Sequence, residues 1–248
     1  MSKYWSIKAA ADTVRIDIYG DIVADQSWKW SKDDACPSDI VDALKNNPSA
    51  AVELHINSGG GDAFSGIAIY NILKSHAGKK TVYVDGLAAS SASVIAMAGD
   101  EINIPGTAHL MVHKPWTSAW GANADDLRKA AEMLDSVETA MLAAYMTRAV
   151  EGAEESAIKG LVDAETWMTG EKAAEYFAVN VTGLSAAACA SDVLSRYAHT
   201  PPELKAPHTP PAPEPPASDD TVGDELALVS SFIFTKREES KLNDEKDA

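Results

Sequence analysis

Three short segments carry residues that could act together on a carbonyl carbon. In the run Gly86-Leu-Ala-Ala-Ser-Ser-Ala-Ser-Val-Ile-Ala-Met-Ala-Gly99, Ser90 lies between an apolar, strand-like stretch (Thr81 to Val84) and a small-residue segment suited to a packed helix. A hydroxyl at a strand-to-helix turn stands clear of its own backbone. It faces the unpaired N–H groups and positive dipole end of the helix, which favour negative charge. Ala88, Ala89 and Ala92 would let a substrate backbone approach closely. Ser91 and Ser93 are hydroxyls as well, so side-chain chemistry alone leaves three candidate nucleophiles. The competing reading is a tightly packed Ala/Ser helix with no chemistry.

The second segment, Ile56-Asn-Ser-Gly-Gly-Gly-Asp62, follows the strand-like Ala51-Val-Glu-Leu-His-Ile56 and precedes a helical pattern at Ile67, Tyr70 and Leu73. Its glycines can take positive φ and leave backbone N–H groups exposed. Such donors can stabilise the charge that develops on a carbonyl oxygen in acyl transfer; a tight strand-to-helix turn is the plainer alternative. No Gly-Lys-Ser/Thr follows, which disfavours a phosphate loop. The third segment, His109-Leu-Met-Val-His-Lys-Pro115, reads as a short strand ended by proline, with His109, Met111 and His113 on one face. His113 is then at the strand's exit. A serine at a turn, a glycine donor loop and a strand-end histidine are the components of a serine hydrolase.

With these segments in place, residues 14–183 resemble the Clp-type serine peptidases. Five pieces match in the family's order: Ile18-Tyr-Gly-Asp21, Ile56-Asn-Ser-Gly-Gly-Gly61, Gly86-Leu-Ala-Ala-Ser90, Met111-Val-His-Lys-Pro115 and Trp167-Met-Thr-Gly-Glu-Lys-Ala-Ala-Glu-Tyr176. The resemblance implies Ser90 as nucleophile and His113 as general base. It implies oxyanion donors at the backbone N–H of Gly60 or Gly61 and of Ser91. For the third triad member its register selects Glu165, with Asp163 the alternative; the family's housekeeping members usually carry aspartate. It also implies a Clp/crotonase-like α/β fold (a repeated ββα spiral with a mostly parallel sheet), a homo-oligomeric ring, a protein substrate, and no metal or organic cofactor.

The pattern of elements agrees. Strand and helix alternate through Val14 to Ile22, Ser38 to Leu44 (Ser38 as N-cap), Val52 to Ile56, Ser65 to Lys74, Thr81 to Val84, Ser90 to Ala98, Glu101 to Ile104 and Leu110 to His113. Alternation with short connections predicts a parallel sheet with right-handed crossovers. A long amphipathic helix is expected over Ala124 to Val150, with Leu127, Ala131, Leu134, Val137, Met141 and Tyr145 at helical spacing. In the resembled family a helix here projects and makes contacts between rings.

Composition bounds the partners. A formal charge of −16 with no sizeable basic patch argues against nucleic acid. The apolar run around Ser90 is too short and too rich in serine to span a bilayer, and no secretory signal is read at the start. Cys36 and Cys189 lack metal-ligand spacing and read as free thiols of a reducing cytoplasm. Eight prolines between His199 and Ser218 break the globular composition. We therefore read a peptidase domain over 1–197, an extended linker over 198–220, and an acidic tail over 221–248. The apolar stretch Leu226 to Phe234 looks like a docking peptide in that tail. Trp28-Lys-Trp30, Glu165-Thr-Trp167 and the tail look more like the Clp-related head-maturation proteases of tailed phages and prophages, which cut capsid and scaffold proteins inside an immature shell; the resemblance implies a bacterial host's cytoplasm as the location. A housekeeping Clp subunit working with an ATPase, or a crotonase-type acyl-CoA enzyme, is the alternative.

Overall fold

The structure is a computed structural model in which residues 9–10, 13–183 and 197–201 are described. The proline-rich linker beyond Pro201, the stretch Leu226 to Phe234 and Cys189 lie outside the described residues.

The chain forms a mixed α/β fold around one largely parallel sheet. Its strands are β1 (Ala9–Ala10), β2 (Thr13–Ile18), β3 (Ala51–Ser58), β4 (Lys80–Ala89), β5 (Glu101–Pro105), β6 (His109–Val112), β7 (Thr166–Thr169) and β8 (Asn180–Thr182). Between them run α1 (Pro37–Leu44), α2 (Ala63–Ser75), α3 (Ser91–Ala96), α4 (Ala124–Met146), α5 (Glu155–Asp163) and α6 (Gly170–Ala173). The main path of the sheet is β1-β2-β3-β4-β5-β8, and β6 joins β4 to β7. The pairs β1/β2 and β6/β7 are antiparallel and every other pair is parallel.

Alternation decides what each strand buries. In β2, Val14, Ile16 and Ile18 face the core while Arg15 and Asp17 face outward and pair with each other. Val52, Leu54 and Ile56 of β3 and Val82 and Val84 of β4 continue the same apolar layer. Ile69 and Leu73 of α2 close it from one side, with Val94 and Ile95 of α3.

Two strand boundaries depart from the sequence reading. β2 stops at Ile18 rather than Ile22, because Ile22 makes only isolated bridges, to Ala35 and Gly61, across an excursion of the chain. β4 continues past Val84 through the Asp85-Gly86 pair that resembles a turn. Its first half pairs with β5 (Thr81 to Tyr83) and its last three residues pair with β6, so the strand forks between two neighbours. Helix α1 is capped at Cys36, not Ser38: Pro37 opens the helix and the Asp39 carboxylate accepts the Cys36 N–H at 2.8 Å.

Helix α4 ends at Met146 and is buried along its second half, at Val137, Met141, Leu142, Ala144 and Tyr145, with Met133 packed partly buried just before them. Its first turn stands off the core, and Leu127 of the apolar stripe is 51% exposed. No described helix is long and apolar enough to cross a membrane.

Candidate active site

Ser90 and His113 are positioned by strand pairing. Ala89 at the end of β4 is in register with Met111 of β6, and the Ser90 N–H donates to the Met111 carbonyl at 3.0 Å. Ser90 follows directly on one strand and His113 two residues on along the other. Both side chains therefore emerge at the same end of the parallel pair, and His113 Nε2 lies 2.7 Å from Ser90 Oγ. Neither residue is more than 8% exposed.

The backbone at Ser90 has φ 56° and ψ −126°, a region that non-glycine residues rarely occupy. Such strain costs on the order of 1–3 kcal/mol and persists only where surrounding contacts over-determine it. Here those contacts come from Ser93 and α4. The Ser93 hydroxyl donates to the Ser90 carbonyl at 2.6 Å, and the fully buried Tyr145 hydroxyl lies 2.8 Å from Ser93 Oγ. The three hydroxyls are thus separated by structure: Ser93 braces the turn, Ser91 Oγ is buried with no hydrogen-bond partner among the described residues, and Ser90 Oγ faces the imidazole.

The glycine loop lies against this turn. Gly60 takes φ +91°, and a Cβ placed on it would come 2.6 Å from the Ala89 carbonyl and 2.8 Å from Ser90 Cβ. Gly60 donates its N–H to Ser58 Oγ, which in turn donates to the Gly20 carbonyl. Gly60 is therefore committed to bracing the loop. In the parallel bridge to Ile22 the neighbouring carbonyl of Gly60 and N–H of Asp62 are used, so the Gly61 N–H turns the other way. Of the three expected donors, Gly61 and Ser91 are the ones whose N–H groups have no acceptor among the described residues.

The two carboxylates expected at the site are in different surroundings. Asp163, at the end of α5, is exposed and paired with Lys114 Nζ at 2.9 Å and Lys159 Nζ at 2.8 Å. Those lysines hold its carboxyl below the usual range. Glu165 sits just past the helix, with φ 50° and its side chain only 16% exposed. Burial works against its charge. The backbone N–H groups of His199 and Ala198, at 2.6 and 3.0 Å, and the nearby His113 outweigh burial and keep its pKa below the ordinary value. His113 responds in turn: burial lowers its pKa, and the Glu165 charge partly offsets that. The interaction between Glu165 and His113 is through space, since no hydrogen bond joins them among the described residues.

Sequence reasoning missed Tyr197. The residue stands at the edge of the proline-rich region with nothing in its flanks to mark it, yet it is 4% exposed and packs with Leu87, Ala89, Met111 and Trp167. Packing continues past it: Thr200 is buried and the amides of Ala198 and His199 reach Glu165, three residues beyond the boundary read from composition.

A cleft of about 280 Å³ opens beside the pair, lined by Gly61 and Asp62 on one side and by Trp116, Met133, Val137 and Met141 on another. An apolar wall beside a paired serine and histidine, with spare backbone N–H groups across from it, is an arrangement used by serine hydrolases built on α/β sheets. The family model described as Clp protease matches residues 13–181, well over half of the chain, and the chain belongs to that family. Among curated relatives, the ATP-dependent Clp protease proteolytic subunit 1 of Protochlamydia amoebophila is 30% identical over 133 residues, 52% of this chain and 64% of that protein. The ATP-dependent Clp protease proteolytic subunit 3 of Rhodococcus jostii is 31% identical over 147 residues, 57% of this chain and 69% of that protein. The ATP-dependent Clp protease proteolytic subunit of Bacteroides fragilis is 26% identical over 132 residues, covering 52% and 62%.

Proposed function

We propose that the chain is a serine endopeptidase acting on protein substrates, with Ser90 as nucleophile, His113 as general base and Glu165 as the carboxylate that supports the imidazole. The observation that carries this reading is the 2.7 Å contact between Ser90 Oγ and His113 Nε2 at a strained turn. In the reaction, His113 takes the Ser90 proton as Oγ attacks a peptide carbonyl. The oxyanion forms against the N–H groups of Gly61 and Ser91, and His113 returns the proton to the leaving amine. Water activated by His113 then hydrolyses the acyl-enzyme. Glu165 stabilises the imidazolium without itself taking the proton.

The named relatives are all ATP-dependent proteolytic subunits, which favours a housekeeping-type subunit fed by an ATPase over the phage head-maturation role. The head-maturation reading rests on Trp28-Lys-Trp30, Glu165-Thr-Trp167 and the proline-rich tail. A crotonase-type enzyme needs no serine–histidine pair, so the 2.7 Å contact disfavours it. The half-unpacked stripe of α4 supports assembly into a ring, in which exposed Leu127 would be covered.

Labelling the intact protein with a fluorophosphonate, followed by peptide mapping, tests the chemistry. The probe is expected on Ser90; labelling at Ser91 or Ser93, or none, refutes the assignment. Peptide and folded-protein substrates, with and without an ATPase partner, separate the two biological roles. ATP-dependent degradation of a folded protein supports the housekeeping reading, and ATP-independent processing of a capsid protein supports the other.

A further inference from the structure

The segment that follows the peptidase fold touches three parts of the site at once. The Tyr197 hydroxyl donates to the Gly59 carbonyl at 2.6 Å, in the same loop that presents the Gly61 N–H. Its ring meets His113 edge-on at a centroid distance of 4.9 Å and Trp167 at 6.1 Å. The next two residues supply backbone hydrogen bonds to the Glu165 carboxylate, Ala198 to Oε2 and His199 to Oε1. Each tie serves a different group: one the donor loop, one the base and one the carboxylate.

We propose that Tyr197 is a positioning residue that fixes the glycine loop and the His113 ring relative to Ser90, while the two residues after it hold the Glu165 carboxylate. The inference rests on the peptidase reading of the site. Geometry gives the reasons. Glu165 lies in a left-handed conformation after a helix end, a position better suited to glycine, and would have several orientations without the two amides. A planar ring against His113 restricts the imidazole to the plane that meets Ser90, and it keeps water from that side. The hydroxyl ties the Gly59 carbonyl, adding a hold on the first glycine to the Ser58 and Ile22 bonds that brace Gly60 and Asp62. A shift of about 1 Å in a reacting group can cost roughly 10²-fold in rate.

The test compares Tyr197→Phe and Tyr197→Ala in the full chain, using a short fluorogenic peptide and the fluorophosphonate probe, with circular dichroism to confirm folding. Tyr197→Phe keeps the ring and loses the loop tie. It is expected to lower kcat about tenfold with KM and the pH profile unchanged. Tyr197→Ala also uncovers His113, and is expected to lower kcat by about 10²-fold. Re-hydration of the imidazole should move the acid limb of kcat/KM to higher pH, with Glu165 still the charged group that bears on the ring. Restoration of the wild-type pH profile by phenylalanine but not by alanine identifies the ring's role. If the alanine variant does not fold, the kcat of the phenylalanine variant decides. Wild-type kcat in the folded variants, or a rise in kcat that would mean the segment restrains the site, overturns the proposal while leaving the peptidase reading in place. A wild-type protein inert to both substrate and probe overturns the peptidase reading and this inference with it.

Discussion

Gly60→Ala tests the claim that the glycine loop and the Ser90 turn are fitted to each other. The new Cβ meets two penalties. The first is conformational: φ +91° is hard for an L side chain to adopt and costs on the order of 1–3 kcal/mol. The second is contact. At 2.6 Å from the Ala89 carbonyl, the methyl sits about 0.8 Å inside ordinary van der Waals distance, and the nearest atoms are backbone and the Ser90 Cβ. Overpacking of this kind costs roughly 1–3 kcal/mol more. We expect a stability loss of about 2–6 kcal/mol, and a fall in kcat approaching 10²-fold as Ser90 is pushed off His113. Gly152→Ala is the control, since it shares a positive φ of +80° but has nothing within 4 Å of its Cβ. It should lose about 1 kcal/mol from conformation alone. Chemical denaturation at one fixed protein concentration gives the stabilities, because assembly would otherwise contribute. Peptide hydrolysis gives kcat. Equal stability losses for the two variants, or a Gly60→Ala protein with kcat within twofold of wild type, would refute the argument from close approach.

Further outcomes concern the same site and the assembly. Glu165→Gln should reduce kcat by up to roughly 10⁴, the ceiling being the loss seen when a triad carboxylate hydrogen-bonded to the imidazole becomes an amide. Asp163→Asn, which disturbs only exposed ion pairs, should change kcat less than threefold or so; a reversed order of effects would move the carboxylate role to Asp163. Burial lowers the His113 pKa and so favours the neutral base, which puts the acid limb of kcat/KM below the ordinary 6.5 of histidine. A limb centred above 6.5 contradicts that sign. Leu127→Glu places charge on the uncovered part of the α4 stripe and is expected to yield smaller assemblies by sedimentation, with secondary structure retained; unchanged assembly would place the subunit contacts elsewhere. Ending the chain after Ala206 keeps the segment that holds Glu165, so peptide hydrolysis should persist. Cleavage of a protein substrate should fall if Leu226 to Phe234 is a docking element, and unchanged cleavage would remove that role.

Periodicity made the central elements readable. Val14, Ile16 and Ile18 alternate, β3 and α2 have clean patterns on either side of the glycines, and the Ser90 segment announces itself by its small residues. The fork in β4 was hidden because Asp85-Gly86 carries turn chemistry, and nothing local shows that a second strand will pair with the residues after it. The contacts of Tyr197 and Tyr145 with the site were invisible for a related reason. Each joins residues more than fifty positions apart, and such contacts leave no spacing signature. Gly60 and Gly61 could not be ranked as donors from sequence, since the hydroxyl that occupies the Gly60 N–H is set by the three-dimensional course of the loop.

Because Ser90 and His113 leave paired strands, their separation changes only in steps. A slip of one residue between β4 and β6 would carry His113 about 3.3 Å along the strand and turn its side chain to the opposite face. Intermediate spacings are not available to the chain. The spacing of the pair is therefore set by the ladder Leu87 to Ala89 with His109 to Met111, and not by how far apart the two residues stand along the chain. The apolar walls of the cleft hang from other parts of the chain, the stretch after His113 and the middle of α4, with Gly61 and Asp62 of the glycine loop on another side. A change in those apolar walls can alter what the cleft admits while the ladder that spaces Ser90 and His113 stays as it is.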